Sequence, residues 1–460
     1  MGRSAFSQHR VFERALELAV NSILTFGKHT VTGLLTAGGK ENEDWSAAYR
    51  IFERGRVNQD KLFDAVLQST VEKLDLQEPL YISMDDTITR KVGKKVAGTS
   101  WKRDPLGPKF HTNFVWGQRY LQISAALPDE EVAGRARGIP IDFCHAPTTK
   151  KPRKNAPIEE WNEYKKQQKE CKVSTVGASR LLALRNKVRD RKIVCAVDGG
   201  FTNMEVFTSI PENTVLIGRI RKDASLFGVP DVPTDGSRGR RKYYGDKLPT
   251  PEEVRQDETI PWQNAKAYAA GKIQNFDIKM VMPVRWKSSK NRNMALLVIR
   301  PLGYRLSKNS KTLYRDPAYL LCSDCNMTPE EILQAYIWRW EIEVNFRDEK
   351  TIMGVGEAQV RTENAVKNVP SFLVAVYAFL LLSAHNTKVK SDSLPSPKWY
   401  NRNIEKRCST QKIVSLFRMQ HWGLNAVRNK NGFTSTTSLT RTHFNFPNSL
   451  ISAICHVKNG

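Results

Sequence analysis

The chain is short of negative charge. Its 460 residues contain 47 Asp and Glu against 72 Lys and Arg, so the formal net charge is +25. An excess of this size favours a polyanionic partner, most simply nucleic acid, over a merely basic protein. The excess is uneven, because residues 1–78 carry 10 basic and 11 acidic side chains, whereas 386–460 carry 12 and 2. We therefore expect a basic surface in the middle and C-terminal parts of the chain.

Cysteines and long apolar runs are also scarce. Seven scattered cysteines predict a reducing compartment without a disulfide framework. The only CxxC, at 322–325, lacks a second pair at zinc-ribbon spacing and ends an apolar run, so we interpret it as a strand end rather than a zinc site. The longest apolar stretch, 372–382, is too short to span a bilayer, and no signal peptide is visible. These features predict a cytoplasmic protein with no membrane partner.

Hydrophobic periodicity divides the chain into regions of different secondary structure. Residues 1–78 have apolar side chains at helical spacing, strand patterns begin at residue 79, and 158–191 is helical and very basic. We predict a helical N-terminal domain (1–78) for DNA binding or dimerisation and an α/β core in two parts (79–222 and 331–385). A β-rich insertion (223–330) lies between those parts, and a basic C-terminal region (386–460) follows them.

Two aspartates follow apolar strand patterns. Asp85 lies in Ile-Ser-Met-Asp-Asp-Thr, and Asp198 follows Ile-Val-Cys-Ala-Val. Acids are poor strand residues, but open α/β sheets bind their ligands at the carboxyl ends of strands. Taken singly, each aspartate could instead be a turn acid or a helix cap. Asp86 competes with Asp85; we prefer Asp85 because it is the first acid after the strand and stands two residues before Thr87.

A predicted helix later in the chain carries a polar stripe. At ~100° per residue, Tyr336, Arg339, Glu343 and Lys350 fall within roughly 60° of one another. Glu341 lies ~200° around the helix from Glu343 and faces elsewhere. The other faces are mainly apolar, so the helix is expected to be buried except along the stripe. A polar stripe on such a helix predicts that it lines a functional site.

Asp85, Asp198 and Glu343 together predict a metal-dependent site for phosphoryl transfer. Three carboxylates can hold two divalent cations ~4 Å apart, and such a pair stabilises both the attacking and the leaving oxygen. Mg²⁺ suits this task because it accepts carboxylate, water and phosphate oxygens, and Mn²⁺ can substitute for it. The separation of 145 positions from Asp198 to Glu343 is too long for a loop, so a folded insertion must lie between them.

These motifs resemble bacterial DDE transposases of the insertion-sequence-four superfamily, with the insertion-sequence-701-like branch as the best match. The spacing Tyr336-x2-Arg339-x3-Glu343-x6-Lys350 is similar to the YREK signature of that superfamily. Asp85-Asp-Thr and Val-Asp198-Gly-Gly-Phe resemble its first and second Asp motifs. The resemblance runs from about residue 20 to 385, and the tail beyond it matches no known pattern.

The resemblance implies an RNase H-like catalytic core, a mixed sheet flanked by helices, that is interrupted by a β-rich insertion. It also implies cut-and-paste transposition, often through hairpin DNA ends, by a homodimer on paired transposon ends in the bacterial nucleoid. Family members contact DNA phosphates through the residues here numbered Tyr336, Arg339 and Lys350. Relatives also hold a flipped base against an aromatic side chain of the insertion, for which Trp286 is the candidate. Trp286 could equally be a packed strand residue.

Three functions follow from these patterns. The leading hypothesis is a DNA transposase acting on double-stranded terminal inverted repeats and target DNA. Basic residues in 150–192, 238–242 and 386–430, including Arg240, Arg241 and Lys242, would hold the DNA backbone. Much of this basic surface could be only solvated. The second hypothesis is a DNA endonuclease without strand transfer. The third is a catalytically silent, host-adopted DNA-binding protein, which intact acidic residues disfavour.

Overall fold

The computed structural model describes most of the chain. The described residues are 2–104, 107, 110–230, 242–305, 307, 309–389 and 407–422, with the backbone alone for 426–429 and 432–435. The helices are α1 His9–Leu24, α2 Val31–Ala37, α3 Ser46–Glu53, α4 Gln59–Val71, α5 Ile158–Glu170, α6 Val173–Lys187, α7 Met204–Phe207, α8 Pro251–Gln256, α9 Pro329–Trp338, α10 Trp340–Thr351, α11 Glu363–Asn386 and α12 Thr410–His421. The strands are β1 Leu80–Arg90, β2 Ser100–Arg103, β3 Phe114–Pro128, β4 Ala136–His145, β5 Ile193–Val197, β6 Thr214–Arg219, β7 Leu226–Phe227, β8 Gln263–Ala269, β9 Lys272–Trp286, β10 Met294–Ile299, β11 Gly303–Tyr304, β12 Leu313–Tyr314, β13 Ala318–Cys322, β14 Ala426–Asn429 and β15 Gly432–Ser435.

A single mixed sheet of 11 strands forms the centre of the protein. Its hydrogen-bonded strands follow the order β2-β3-β1-β5-β6-β13-β10-β9-β7; in addition, β4 pairs with β3 and β8 pairs with β9. β5 pairs in parallel with β1 and with β6, and all five of its residues are buried, as expected of a parallel strand covered on both faces. Helices flank the sheet. The structure therefore confirms the predicted mixed α/β class, consistent with an RNase H-like core.

The strands predicted as an insertion continue the core sheet. β13 pairs antiparallel with β6, and β10 and β9 follow in the same sheet. The CxxC interpretation as a strand end is confirmed, because β13 ends at Cys322, whose thiol is buried with its pKa raised to about 12. β2, β4 and β8 were not predicted. These three strands owe their existence to pairing with β3 and β9, which local hydrophobic patterns do not reveal.

The N-terminal helices share one hydrophobic core with the sheet and with α11. Leu18, Phe52 and Phe63 belong to the same buried cluster as Phe372 and Leu381 of α11. α11 begins at Glu363, seven residues before Pro370, and contains the whole apolar stretch 372–382. By length and composition α11 could span a membrane, but 89% of its most apolar window is buried inside the protein, as in the core helix of a soluble protein.

The basic C-terminal region contains a helix, α12, that was not predicted. Ser409 caps α12, and Arg418 near its end is completely buried. Arg418 donates hydrogen bonds to the backbone oxygens of Ile23 (2.8 Å) and Thr25 (2.7 Å). At least this cation of the tail therefore stabilises the contact between α12 and the N-terminal helices, and it is not available to DNA.

Candidate active site

The pairing register of two parallel strands brings Asp85 and Asp198 together. Met84 of β1 pairs with Val197 of β5, so the residues that follow each of them are neighbours across the sheet. The Asp198 carboxylate accepts hydrogen bonds from the backbone N–H groups of Gly200 (2.9 Å) and Phe201 (3.2 Å), which fixes the turn after β5. The two carboxylates consequently face each other where β5 ends.

The position of Asp85 differs from the sequence prediction in one respect. The sequence suggested that its strand ends at this residue, but β1 continues to Arg90. β5 stops beside Met84, whereas pairing with β3 continues through Arg90 and supplies backbone hydrogen-bond partners on the other side. Asp85 therefore lies inside a strand, at the point where its parallel neighbour ends.

Arg339 joins the acid of β1 to the acid of α10. Its Nη2 donates to Glu343 Oε1 at 2.8 Å, and its Nη1 lies 3.4 Å from Asp85 Oδ2. Arg339 stands at the junction of α9 and α10 and keeps a right-handed helical conformation (φ −52°, ψ −31°). The polar stripe is therefore retained although the predicted helix is two helices. The Tyr336 ring lies 5.6 Å from the Arg339 guanidinium carbon.

α10 is less uniformly apolar than predicted. Trp340 is 61% exposed, whereas Asn345, Asp348 and Glu349 are buried. The expectation that this helix is buried except along the stripe is therefore wrong. Polar groups beneath α10 form their own hydrogen-bonded cluster, which takes the place of apolar packing.

The acidic site carries more negative charge than its surroundings stabilise. Burial and, next, the negative charge of Asp198 together raise the pKa of Asp85 to about 7, against the opposing effect of Arg339. A carboxyl group with such a pKa loses its proton readily when a cation arrives. The site residues provide only oxygen ligands, the type that Mg²⁺ and Mn²⁺ prefer.

A complete set of metal ligands is not assembled in the described part of the chain. No group of three His, Cys, Asp or Glu side chains there lies close enough to hold a metal ion. Asp85 and Asp198 are adjacent, while Glu343 is held by Arg339 and keeps 36% of its side chain exposed. The donor chemistry fits a divalent cation at the two aspartates, and Glu343 can join them only by a side-chain movement.

The competing acid Asp86 has a different environment. Successive residues of a strand point to opposite faces, so Asp86 faces away from α10. Its Oδ2 lies 3.1 Å from Arg119 Nε, and burial raises its pKa. The charge of Arg119 opposes this rise and the charge of Asp198 adds to it, so Asp86 pairs with Arg119 on its own face while it still senses the acidic site.

A buried polar network lies beside the acidic site and was not predicted. Gln122 of β3 stands directly opposite Asp85 in the antiparallel pair β1–β3. It donates to Ser124, whose hydroxyl donates to Asn345 of α10 at 2.9 Å. Asn345 in turn donates to Tyr377, at 3.3 Å, and Glu349 is fully buried nearby. The only signal in the sequence was the pair of polar residues, Gln122 and Ser124, inside an otherwise apolar strand pattern.

The remaining predicted DNA-binding residues lie in different parts of the structure. Lys350 is partly buried at the far end of the stripe, where burial and the charge of Arg90 lower its pKa. Trp286 packs edge-on against Phe207 (5.3 Å between ring centroids) and also lines an open cleft. Lys242 is exposed, while Arg240 and Arg241 lie outside the described residues.

Comparison with known proteins gives one family. The family described as DDE superfamily endonuclease matches residues 4–275, which include Asp85 and Asp198 and end before Glu343. No curated protein matches the chain at a significant level. The match covers more than half of the chain and agrees with the mixed α/β fold and with the adjacent carboxylates at the end of β5. The chain belongs to the DDE superfamily endonuclease family.

Proposed function

We propose that this protein is a DNA transposase of the insertion-sequence-four type, in which Asp85, Asp198 and Glu343 hold two Mg²⁺ ions. The observation that carries the proposal is the bridge from Arg339 to both Asp85 and Glu343, beside the adjacent Asp198. It links residues far apart in the sequence within one acidic site. The family supports DNA cleavage, and the YREK-like spacing supports the transposase subclass.

Divalent cations, when bound, would activate the attacking water and stabilise the leaving oxygen of the phosphodiester. Asp85 and Asp198 would supply the first carboxylate oxygens, and Asp85 would release any proton that it retains near neutral pH. Glu343 would join them after it leaves Arg339. A DNA phosphate would give Arg339 an alternative anionic partner, and bidentate Arg–phosphate contacts are strong enough to replace a carboxylate.

The rest of the polar stripe would position the DNA. Tyr336 and Lys350 would contact phosphates near the cleaved end on either side of Arg339 and Glu343. Trp286 would stack against an unpaired base, since one side of its ring is packed on Phe207 and the residue also borders an open cleft. The freed 3′-hydroxyl would then attack phosphates in the hairpin step and in the target DNA. A dimer bound to paired ends would complete the reaction.

The test is cleavage of DNA that carries the sequences flanking the protein's own gene. The protein and its Glu343→Gln variant are incubated with this DNA and Mg²⁺ or Mn²⁺, and the ends formed are mapped. Glu341→Gln is the matched control, because Glu341 lies on the same helix but pairs with Arg407 and faces away from the acidic site. We expect cleavage at fixed positions that Glu343→Gln abolishes and Glu341→Gln retains.

The products distinguish the three functions. Hairpin or joined DNA products support a transposase, whereas fixed cleavage without joining supports an endonuclease. Binding without cleavage by folded protein in both metals contradicts the proposal and favours the silent DNA-binding protein.

A further inference from the structure

A cleft of about 900 Å³ opens beside Asp198, between the core strands and the strands that extend them. Gly199 and Thr202, from the turn after Asp198, form one wall. Trp286 and Tyr319, from the extending strands, form another. Its size falls within the range of ligand-binding clefts, roughly 300–1,000 Å³. It is therefore large enough to accept part of a nucleic acid strand.

The sheet register aligns a cation of this cleft with the two aspartates. Val197 of β5 pairs with Gly218 of β6, so Arg219 follows at the same level as Asp198. Gly218 allows the turn after Asp198 to lie against β6, because an added Cβ would come within 2.3 Å of Thr202 Oγ1. Asp85, Asp198 and Arg219 thus occupy successive positions on three neighbouring strands.

Two cations in this cleft have no carboxylate within salt-bridge distance among the described residues. Arg219 and Lys222 are both exposed and have no such partner. The other two cations are occupied: Arg221 pairs with Asp223 at 2.8 Å, and Arg255 pairs with Glu252. The remaining acid in the wall is Asp316. The cleft therefore offers two positive groups to an anionic ligand.

The cleft and the α10 end of the polar stripe lie on opposite sides of the acids, whereas Tyr336 of α9 lies on the cleft side, near Arg219. α10 packs on β1, β3 and β4, and Lys350 at its end is close to Arg90 of β1. Arg219 and Lys222 lie at β6, on the other side of β5 in the sheet order. A DNA strand whose scissile phosphate is at Asp85 and Asp198 would therefore extend along α10 towards Lys350 in one direction and past Tyr336 into the cleft in the other.

We propose that Arg219 and Lys222 bind backbone phosphates of the DNA strand on the side of the scissile bond opposite to Arg339 and Lys350. This inference rests on the proposed function, since it takes the acids as the cleavage point. Both are flexible, exposed cations, which suits contact with successive phosphates rather than recognition of a base. They are positioning residues for the substrate.

The test measures binding of a duplex that carries one end of the element, in Ca²⁺ so that the DNA stays intact, at several salt concentrations. For Arg219→Gln combined with Lys222→Gln, the slope of log affinity against log salt is expected to fall by about 2, or ~0.9 per lost phosphate contact. Arg219→Lys should restore part of the slope. Lys266→Gln, an exposed cation on β8 outside the cleft, is the matched control and should leave the slope unchanged.

Phosphate-ethylation interference then locates the lost contacts. We expect the Arg219/Lys222 variant to lose interference on one side of the cleavage point and Arg339→Gln to lose it on the other. An unchanged slope and interference pattern in the double variant overturns the inference while leaving wild-type cleavage, and hence the proposed function, intact. Loss at the same phosphates as Arg339→Gln also overturns it. Absence of wild-type cleavage instead contradicts the proposed function.

Discussion

Two polar clusters share helix α10 and differ in what surrounds them. The acidic site, formed by Asp85, Asp198, Glu343 and Arg339, lies where β5 ends and keeps Glu343 partly exposed. The buried polar network, formed by Gln122, Ser124, Asn345, Glu349 and Tyr377, lies deeper, with each side chain at most 1% exposed. Acids in the first can exchange Arg339 for a metal ion, and Arg339 can exchange the acids for a phosphate. Groups in the second are buried and bond to one another and to neighbouring protein groups, so the network serves packing and orientation.

The largest expected effect comes from neutralising the acidic site. Asp85→Asn should reduce cleavage by about 10³-fold or more, because the carboxylate that we propose as a metal ligand is lost. It should not destabilise the protein at pH 8, since Asp85 has a raised pKa and its ionised form is unfavourable in the folded state. Cleavage rates and thermal unfolding of the same preparations check this. A large fall in Tm would assign Asp85 to the structure rather than to catalysis.

Truncation of a side chain in the buried polar network should, in contrast to Asp85→Asn, lower the stability of the protein. Asn345→Ala removes the partner of Ser124 and the donor to the Gly138 oxygen and to Tyr377. Leaving these buried groups unpaired should lower the free energy of unfolding by about 2–4 kcal/mol, measured by denaturant titration. Trp340→Ala, at an exposed position of the same helix, should cost at most about 0.5 kcal/mol. Equal losses for the two variants would show that the network adds no stability.

The pH dependence of stability separates the clusters further. Burial raises the pKa of Glu349 to about 8. A raised pKa in the folded state means that the stability from neutral Glu349 is present below its unfolded pKa and is lost as pH rises through about 8. Wild type should therefore lose Tm between pH 5 and pH 8.5 by roughly 2 °C more than Glu349→Gln, which cannot ionise. Parallel Tm profiles for the two proteins would contradict a neutral Glu349.

The sequence predicted the helices that local hydrophobic patterns encode, but it did not predict the features that depend on strand pairing. The periodicity of 1–78 correctly predicted helices, which the structure shows as α1 to α4. The continuous sheet was not foreseen, because it depends on pairings between strands distant in sequence, β1 with β5 and β6 with β13. The Arg339 bridge and the alignment of Arg219 with Asp198 likewise follow from register, which hydrophobic patterns do not specify.

The smallest expected effect distinguishes two acids adjacent in sequence. Asp86 offered the same chemistry as Asp85 to a reader of the sequence, but it faces the opposite side of β1 and pairs with Arg119. Asp86→Asn keeps a hydrogen-bonding side chain of the same shape, so cleavage should fall by less than about tenfold, the equivalent of one weakened hydrogen bond. When its cleavage rate in Mg²⁺ is measured beside that of Asp85→Asn, this variant compares the contributions of the two faces of β1. Loss of cleavage in Asp86→Asn with activity retained in Asp85→Asn would move the metal ligand to Asp86 and break the assignment of the acidic site to the α10 face.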